Sequence, residues 1–454
     1  MNYHFNNKIL YTPWNIFIVY IVITMVLNFF GPWEYINYNK ILVLVYMTLF
    51  LTLSTIIYRR TIKKMIFGEN KPLKTSRLYV NPLLITKFSI VISLILYVFL
   101  ILEQYSLYGL PQTANNIFEA MNGAYNDKST FTFTRSYWLY SYLFTLIILA
   151  KVLGLYYFRK LPFLFKLILI LIFILSLSYT IFYDGNQKAI GDIIIYAITV
   201  FGLIYFKKNI KIKLRYIILL LVIITTTLYL FIVNLTERIS SWGWVPYTID
   251  GHAYANYDHW MIRYLPEDLK IGGMALFNYI ANGYYGLSLS LQLPFEWSMG
   301  FGSSFAFREN ITRWFGINEY AYGAPYPDRM GQVFGYDGYV NWVSIFPWLA
   351  SDFTFLGAII FICIIVYIYA IAWYKSVKCK NWISIVLVSH LNIFLLYIPN
   401  NNQLFQTKTS YVATFFILIL WFIFKDSPNK IYFKKKINIK SNGNTLPVSR
   451  YRRG

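Results

Sequence analysis

Charged residues are scarce in this chain, and acidic residues are scarcer than basic ones. Only 13% of the 454 residues are Asp, Glu, Lys or Arg, and 19 acids face 41 bases. Hydrophobic residues make up 57%, which is more apolar surface than an aqueous fold of this length can bury. The composition therefore excludes a soluble globular class.

Cysteine and histidine are also rare, with two and four copies. Cys363 falls in an apolar run and Cys379 in its basic flank, so no disulfide framework is predicted. His252 and His259 lack the spacing of known metal-binding motifs. The sequence predicts neither a metal site nor a cofactor.

Several catalytic motifs are missing as well. The chain has no Gly-rich phosphate loop ending in Lys, no DxD pair, no HExxH and no GxSxG. A nucleotide-activated donor is therefore disfavoured, and a transferred group is expected to arrive on a lipid. The internal repeats that mark many transporters are absent too.

Long apolar runs are what the chain does have. Several reach the roughly 20 residues that cross a bilayer core. The first is expected to be a span and not a cleaved signal, because no small-residue cleavage site follows it. We predict an all-α polytopic membrane protein with about ten transmembrane helices, near residues 14–31, 41–58, 83–102, 137–157, 162–182, 190–206, 216–234, 353–374, 381–398 and 409–424.

The distribution of Lys and Arg predicts the orientation of these helices. When the ten segments are threaded alternately, the loops "YRRTIKKM", "FRKLP", "FKKNIKIKLR" and "YKSVKCK" fall on one side with the basic tail. Basic loops collect in the cytoplasm, so both termini are expected there. Four regions follow: a bundle of about seven spans at 1–234, a large outer loop region at 235–352, a bundle of about three spans at 353–424 and a basic cytoplasmic tail at 425–454.

The outer loop region differs from the rest of the chain in its charge. From Leu235 to Val340 it holds ten acids and six bases, a net charge of −4, whereas the remaining residues carry +26. The overall basicity thus reflects membrane topology and attraction to anionic lipid, and no nucleic acid partner is predicted. Within this region the apolar stretch Gly272 to Trp297 is rich in Gly, Asn and Ser, and we expect a re-entrant or interfacial helical piece.

Arginine displaces lysine in this same region. Five of its six bases are Arg, while the rest of the chain has nine Arg and 26 Lys. Arginine binds phosphate with two parallel hydrogen bonds and stays charged, which favours a phosphate-binding role. Salt bridging to the ten acids is the alternative explanation. The candidates are Arg238, Arg263, Arg308, Arg313 and Arg329.

The stretch "DHWMIRY" gathers ionisable groups. His259 has the pKa of a general base near neutrality, and Asp258 is a carboxylate that would orient it. In a helix, His259 and Arg263 would share a face at i and i+4. The alternative is an interfacial helix that sets Trp260 and Tyr264 at the headgroup level.

Two other stretches carry candidate residues. In "YDGNQKAIGD", Lys188 is expected at the start of a helix, where free N–H groups and a cation favour an anion; an ordinary hairpin is the alternative. In "YGAPYPDRMGQVFGYDGYVNW", aromatic rings and the carboxylates Asp328 and Asp337 favour carbohydrate, with Asp352 following. His390 is expected inside a span as a neutral, hydrogen-bonded side chain.

This layout resembles the Wzy-type polymerases of O-antigen and capsular repeat units. The similarity rests on the "GNQK" turn, "ANGYYGLSLSLQLPFEWSMGFG" and "DGYVNWVSIFPWLASDFTFLG". Where family members often have arginine, this chain has Gln187 followed by Lys188. The resemblance implies a metal-independent glycosyltransferase of GT-C-like architecture in the bacterial cytoplasmic membrane, which moves a glycan from undecaprenyl pyrophosphate to another lipid-linked unit.

The resemblance also implies partners and residue roles. Donor and acceptor would be lipid-linked oligosaccharides, with membrane lipids and a chain-length regulator protein as further partners. The five arginines and Lys188 would bind pyrophosphate, and His259, Asp258, Asp328 and Asp337 are the candidate bases. Two alternatives stay open: an O-antigen ligase, and a lipid-linked oligosaccharide flippase or exporter, which should place its charges within the spans.

Overall fold

The computed structural model describes residues 7–68, 80–109, 116–126, 135–208, 214–241, 248–249, 251–316, 324–341 and 343–426. The tail predicted at 425–454 lies outside these ranges beyond Asp426, and Asp250 also lies outside them.

Helices dominate the described chain, and the one sheet has three very short strands. Its strands are β1 (Trp33–Tyr35), β2 (Thr248–Ile249) and β3 (Ala253–Ala255). The helices of the first part are α1 (Thr12–Phe30), α2 (Lys40–Phe67), α3 (Pro82–Tyr108), α4 (Ile117–Asn126), α5 (Arg135–Tyr156), α6 (Phe163–Tyr179), α7 (Gln187–Lys208) and α8 (Leu214–Ser241). Those that follow are α9 (Trp260–Arg263), α10 (Glu267–Ala281), α11 (Gly283–Leu291), α12 (Phe305–Phe315), α13 (Tyr326–Phe334), α14 (Ile345–Val377), α15 (Trp382–Tyr397), α16 (Gln403–Gln406) and α17 (Lys408–Phe424).

Seven helical segments in the described ranges are long and apolar enough to cross a membrane. They are Asn7–Phe30, Lys40–Phe67, Pro82–Leu107, Arg135–Tyr156, Phe163–Asp184, Gln187–Phe206 and Ile345–Val377. Two shorter apolar helices, α15 and α17, pack among them. The prediction of a multi-pass, all-α membrane protein is confirmed, and all ten predicted apolar segments fall in helices, with 216–234 inside α8.

The helix bundle has two chemically different ends. Strand β1 follows α1 and pairs with β3, with Trp33 opposite Ala255, so the α1–α2 connection joins the 235–352 region. We call this the loop end. Helix α2 has 28 residues, a length of about 42 Å, and carries Arg59 and Arg60 away from it. The last residues of α14 and α17 meet at this second end, which we call the basic end, through an ion pair of Lys375 with Asp426.

The apolar stretch at Gly272 to Trp297 forms two short helices, α10 and α11, which meet at Asn282. Helix α10 packs along α8, and α11 is buried against α2, α13 and α14. A side chain at Gly283 would lie 2.0 Å from the carbonyl oxygen of Pro399, so the close approach requires glycine there. At 15 and nine residues, neither helix has the length to span a bilayer alone.

Helix α14 begins earlier than the span predicted at 353–374. Its first residues, Ile345 to Asp352, are all buried at the loop end. Thr354 then interrupts the helix with φ 63° and ψ 167°. The predicted start of the span therefore corresponds to a kink, and the apolar residues before it belong to the core of the loop end.

Candidate functional site

Helix α12 lies at the loop end against α16 and α17 and sets cations above the helix bundle. Arg313 ion-pairs with Glu309 at 3.3 Å, and its guanidinium is 6.0 Å from the ring centre of Trp138 on α5. Lys408, the first residue of α17, lies over the same ring and is 4.7 Å from the ring centre of Tyr142. Two cations thus share one indole. Lys408 was not among the predicted residues, because one lysine in a lysine-rich chain gives no signal.

Lys188 lies in the first turn of α7, as predicted. Its backbone N–H donates to the side chain of Asn186, and its Nζ is 2.8 Å from Asp192 one turn later. The ammonium is also 6.0 Å from the ring centre of Tyr397 at the end of α15. Oxygen Oδ1 of Asp192 is buried and has no hydrogen-bond partner. Lys188 is therefore ion-paired with Asp192, but one oxygen of that carboxylate still lacks a hydrogen-bond donor.

Arg238 joins three elements at the loop end. Its Nε donates to Asn122 of α4 at 2.8 Å, and its NH2 donates to the carbonyl oxygen of Gly185 at 3.1 Å. The guanidinium stacks on Tyr125 at 4.1 Å. Gly185 has φ +62°, and a side chain there would lie 2.3 Å from the backbone nitrogen of Tyr125. The buried Arg238 thus holds the "GNQK" turn against α4 and α8.

Arg308 and Asp328 connect α12 to α13. Arg308 is 7% exposed, its NH1 is 3.0 Å from the Asp328 carboxylate, and its NH2 donates to the hydroxyl of Tyr339. Burial alone would lower the pKa of Arg308, but the attraction of Tyr339 and Asp328 outweighs it and raises that pKa. For the Tyr339 hydroxyl, which is neutral when protonated, burial has the opposite effect and raises the pKa. The buried Arg308 guanidinium therefore stays charged, and the Asp328 carboxylate balances that charge.

Arg329, the residue after Asp328 in α13, is also buried. Its NH2 donates to the carbonyl oxygen of Pro294 at 2.6 Å, and its Nε is 3.6 Å from Glu296. The guanidinium lies 5.0 Å from the ring centre of Tyr326. Atom NH1 is buried without a hydrogen-bond partner, so one donor of this arginine is unused.

The residues of "DHWMIRY" lie on a different part of the loop end. Asp258 and Arg263 are exposed, and His259 caps α9 by accepting from the N–H of Met261 at 3.4 Å. The predicted i, i+4 spacing of His259 and Arg263 is present in the backbone, where the N–H of Arg263 donates to the carbonyl oxygen of His259 at 2.9 Å. The helix is only four residues long, however. Across the described ranges no hydrogen bond or ion pair joins this stretch to Arg308 or Arg329.

Two further predicted residues have clear local roles. Asp337 is exposed and accepts from the N–H groups of Tyr339 and Val340 in a turn. His390 is buried with Nδ1 3.2 Å from the hydroxyl of Tyr196 and Nε2 2.8 Å from that of Thr414, so the predicted hydrogen bonding is present.

Asp352 is engaged by the loop at 298–303. Its carboxylate accepts from the hydroxyl of Ser298 at 2.7 Å and from the N–H of Ser303 at 2.7 Å. The N–H groups of Gly300 and Gly302 donate to it as well, at 2.9 and 3.2 Å. Both oxygens are used by the protein, which makes Asp352 an anchor for this loop.

Metal binding has no cluster to support it in the chain as described. No group of three or more His, Cys, Asp or Glu side chains is close enough to hold an ion within those ranges.

The fold and these contacts define a multi-pass helical membrane protein whose loop end carries buried and exposed arginines beside aromatic rings. Comparison with family models, curated proteins and solved structures returns no match. The case for a function therefore rests on residues and geometry.

Proposed function

We propose that this protein is a glycosyltransferase that joins lipid-pyrophosphate-linked oligosaccharide units into a polysaccharide. In this proposal ten helices cross the bacterial cytoplasmic membrane with both termini inside, and the loop end faces outward. The observation that carries the proposal is the group of cations at the loop-end termini of the apolar helices. Lys188 lies in the first turn of α7, Lys408 starts α17, and Arg313 shares the Trp138 ring with Lys408.

Depth in the membrane makes these cations suitable for a lipid pyrophosphate. A donor whose tail lies in the bilayer keeps its pyrophosphate at the membrane surface, which is where spanning helices end. Cations fixed there stabilise the charge that develops on the leaving pyrophosphate. Arg238, Arg308 and Arg329 are largely occupied by protein contacts, so in this proposal they shape the site. The phosphates are bound by the cations at the helix termini, Lys188, Arg313 and Lys408, together with the exposed Arg263 of the same end.

The reaction needs a base and a way to position two sugars. An acceptor hydroxyl attacks the anomeric carbon, its proton passes to a base, and the bond to the lipid pyrophosphate breaks. Asp258 and Asp337 are exposed carboxylates and His259 is half-buried, so all three are accessible to a substrate. Asp328 already accepts from Arg308 and is the weaker candidate. Exposed rings such as Trp297 and Tyr264 offer apolar faces to sugars.

Arg263 provides the sharpest test. It is exposed, and the side-chain hydrogen bond found for it within the described chain is to the neighbouring Tyr264, at 3.5 Å from NH2 to the hydroxyl. A cation this unconstrained can bind substrate phosphate at little cost to the fold. We expect Arg263→Gln to abolish polymer while single lipid-linked units remain. Lys270→Gln, which removes a nearby cation that pairs with Glu267 at 2.5 Å, is the matched control and should keep polymerising.

The measurement is reconstitution of purified protein in vesicles with lipid-linked repeat units alone. Product is followed as a ladder on gels and as released undecaprenyl pyrophosphate. Full-length polymer from Arg263→Gln would remove Arg263 from the site. Transfer of the glycan to an added acceptor such as lipid A, with no ladder from lipid-linked units alone, would instead identify a ligase.

Export of lipid-linked oligosaccharides is the second candidate function, and one observation favours it. Lys151 is buried inside the span α5, where its Nζ donates to Ser176 at 2.7 Å and lies 5.6 Å from the ring centre of Tyr97. A buried cation at membrane depth is typical of transporters. In the same vesicles, movement of labelled lipid-linked units across the bilayer without polymer or released pyrophosphate would support export over glycosyl transfer.

A further inference from the structure

A cationic cavity lies at the basic end of the bundle, far from the site discussed above. Its volume is about 430 Å³, and it lies between the start of α1 and the last turns of α2. The lining residues are two arginines, one lysine and two polar side chains: Arg59, Arg60, Lys63, Tyr11 and Asn15. Among the residues that the structure describes, no acidic side chain lines it.

The walls of this cavity are fixed by buried aromatic residues. Trp14 stacks on Tyr58 with ring centres 5.0 Å apart, and its indole N–H donates to Thr55 at 3.0 Å. The Tyr58 hydroxyl donates to the carbonyl oxygen of Leu10 at 2.7 Å. These contacts hold the 3-10 turn at Asn7–Tyr11 against α2, so the cavity is preformed.

In the described part of the chain, the three cations converge without acidic partners. Arg59 and Arg60 precede Lys63 by four and three residues, which sets all three on neighbouring positions of one helix face. Within the ranges that the structure describes, none of them forms an ion pair, and the ammonium of Lys63 is 5.8 Å from the ring centre of Phe67. At the same end, by contrast, Lys375 is paired with Asp426. Three unpaired like charges around one cavity favour an anion.

The depth of the cavity matches a lipid headgroup. Nineteen residues of α2 separate Lys40, at the loop end, from Arg59, a rise of about 28 Å that is close to the thickness of a bilayer's hydrocarbon core. Ile16 and Ile56, one turn or less nearer the membrane centre, are exposed. An acyl chain beside these isoleucines would bring its phosphate to the three cations.

We propose that this cavity binds the phosphate of an anionic membrane lipid at the basic end. Arg59 and Arg60 suit the phosphate oxygens because each guanidinium can donate two parallel hydrogen bonds. Lys63 adds a point charge, and the Asn15 amide and the Tyr11 hydroxyl donate to the glycerol or headgroup oxygens. The site concerns the lipid surroundings of the protein and is independent of the glycosyl transfer proposed above.

The test is native mass spectrometry of the full-length protein titrated with dioleoyl-phosphatidylglycerol. The triple variant Arg59→Gln/Arg60→Gln/Lys63→Gln should lose affinity on the order of 10- to 100-fold, since each cation near an anionic lipid contributes about 1 kcal/mol. The matched control Arg159→Gln/Lys160→Gln/Lys166→Gln removes three charges from the α5–α6 connection and the first turn of α6, at the same end, and should change affinity less than about twofold. An equal loss in both variants would show diffuse charge attraction and overturn the site.

Three further arms work on the wild-type protein or on a milder variant. Dioleoyl-phosphatidylcholine, which has no net charge, should bind more weakly than phosphatidylglycerol, and equal binding would overturn the proposal. Inorganic phosphate at millimolar concentration should not displace the lipid; complete displacement would identify a site for soluble phosphate. Arg59→Lys/Arg60→Lys keeps the charge and the fold but loses the paired hydrogen bonds, so an intermediate affinity is expected and an unchanged one would exclude the guanidinium contacts.

Discussion

Arginine has two different roles at the loop end. Arg308 and Arg329 are buried and bind acidic groups, carbonyl oxygens or rings of the protein itself. Arg263 is exposed and makes little contact. The sequence predicted the arginine enrichment and offered phosphate binding and salt bridging as alternatives. The buried arginines fit the salt-bridging alternative, and phosphate binding stays a prediction for the exposed Arg263, because composition does not report which side of a helix becomes buried. Lys408 shows the same limit, since only the folded chain brings it to Trp138.

The contrast between buried and exposed arginine predicts different costs of substitution. Arg308→Lys loses the forked contact to Asp328 and Tyr339 and should destabilise the protein by about 1–3 kcal/mol. Arg313→Lys, at a half-exposed ion pair with Glu309, should change stability by less than about 1 kcal/mol. Thermal unfolding in detergent measures both. Equal losses would contradict the structural role given to Arg308.

At the scale of elements, hydropathy locates the helices well and their interruptions poorly. All ten predicted apolar segments are helical. They could be recognised from hydropathy alone, because a long apolar run that faces lipid needs no periodic pattern to be identified. The kink at Thr354 has no local signal, since a threonine with positive φ is held by its surroundings. The five-residue π-helical turn at Thr180–Asp184, which leads into Gly185, was likewise visible only as a turn.

Gly185 gives this turn a specific test. An added side chain would meet backbone atoms of Met121 and Tyr125 at 2.3–2.6 Å, and φ is +62°. We expect Gly185→Ala to destabilise the protein by more than about 2 kcal/mol. Gly191→Ala is the matched control, because it lies in α7 with nothing within 4 Å and should be neutral or stabilising by up to about 1 kcal/mol. A tolerated Gly185→Ala in the same unfolding assay would contradict the close packing of the turn on α4.

For the whole molecule, charge and hydropathy predicted a helix bundle with one basic end and one end formed by the large loop. They did not predict the contacts between segments that are distant in sequence. Trp33 pairs with Ala255, and Arg238 donates to the carbonyl oxygen of Gly185. Nothing in the sequence around these residues indicates that they pair. Such contacts depend on how the bundle closes. The candidate site was therefore predictable as a region and a residue type, and not as an arrangement.

The orientation of the protein in the membrane can be measured with cysteine labelling. Cys379 follows α14 at the basic end and Cys363 is buried, so a membrane-impermeant maleimide should label intact cells only weakly. Trp297→Cys in a Cys379→Ser background sets a thiol at an exposed position of the loop end and should label strongly. Permeabilisation should restore labelling of Cys379. Labelling of Cys379 in intact cells would reverse the proposed orientation.

The carboxylate of Asp352 has a mechanical consequence for the loop end. Four donors from residues 298–303 converge on it beside the kink of α14. Lifting this loop would strip a buried charge of its hydrogen bonds, each worth roughly 1.5–3 kcal/mol. We therefore expect the loop at 298–303 and the first turns of α14 to stay joined in any rearrangement of the loop end.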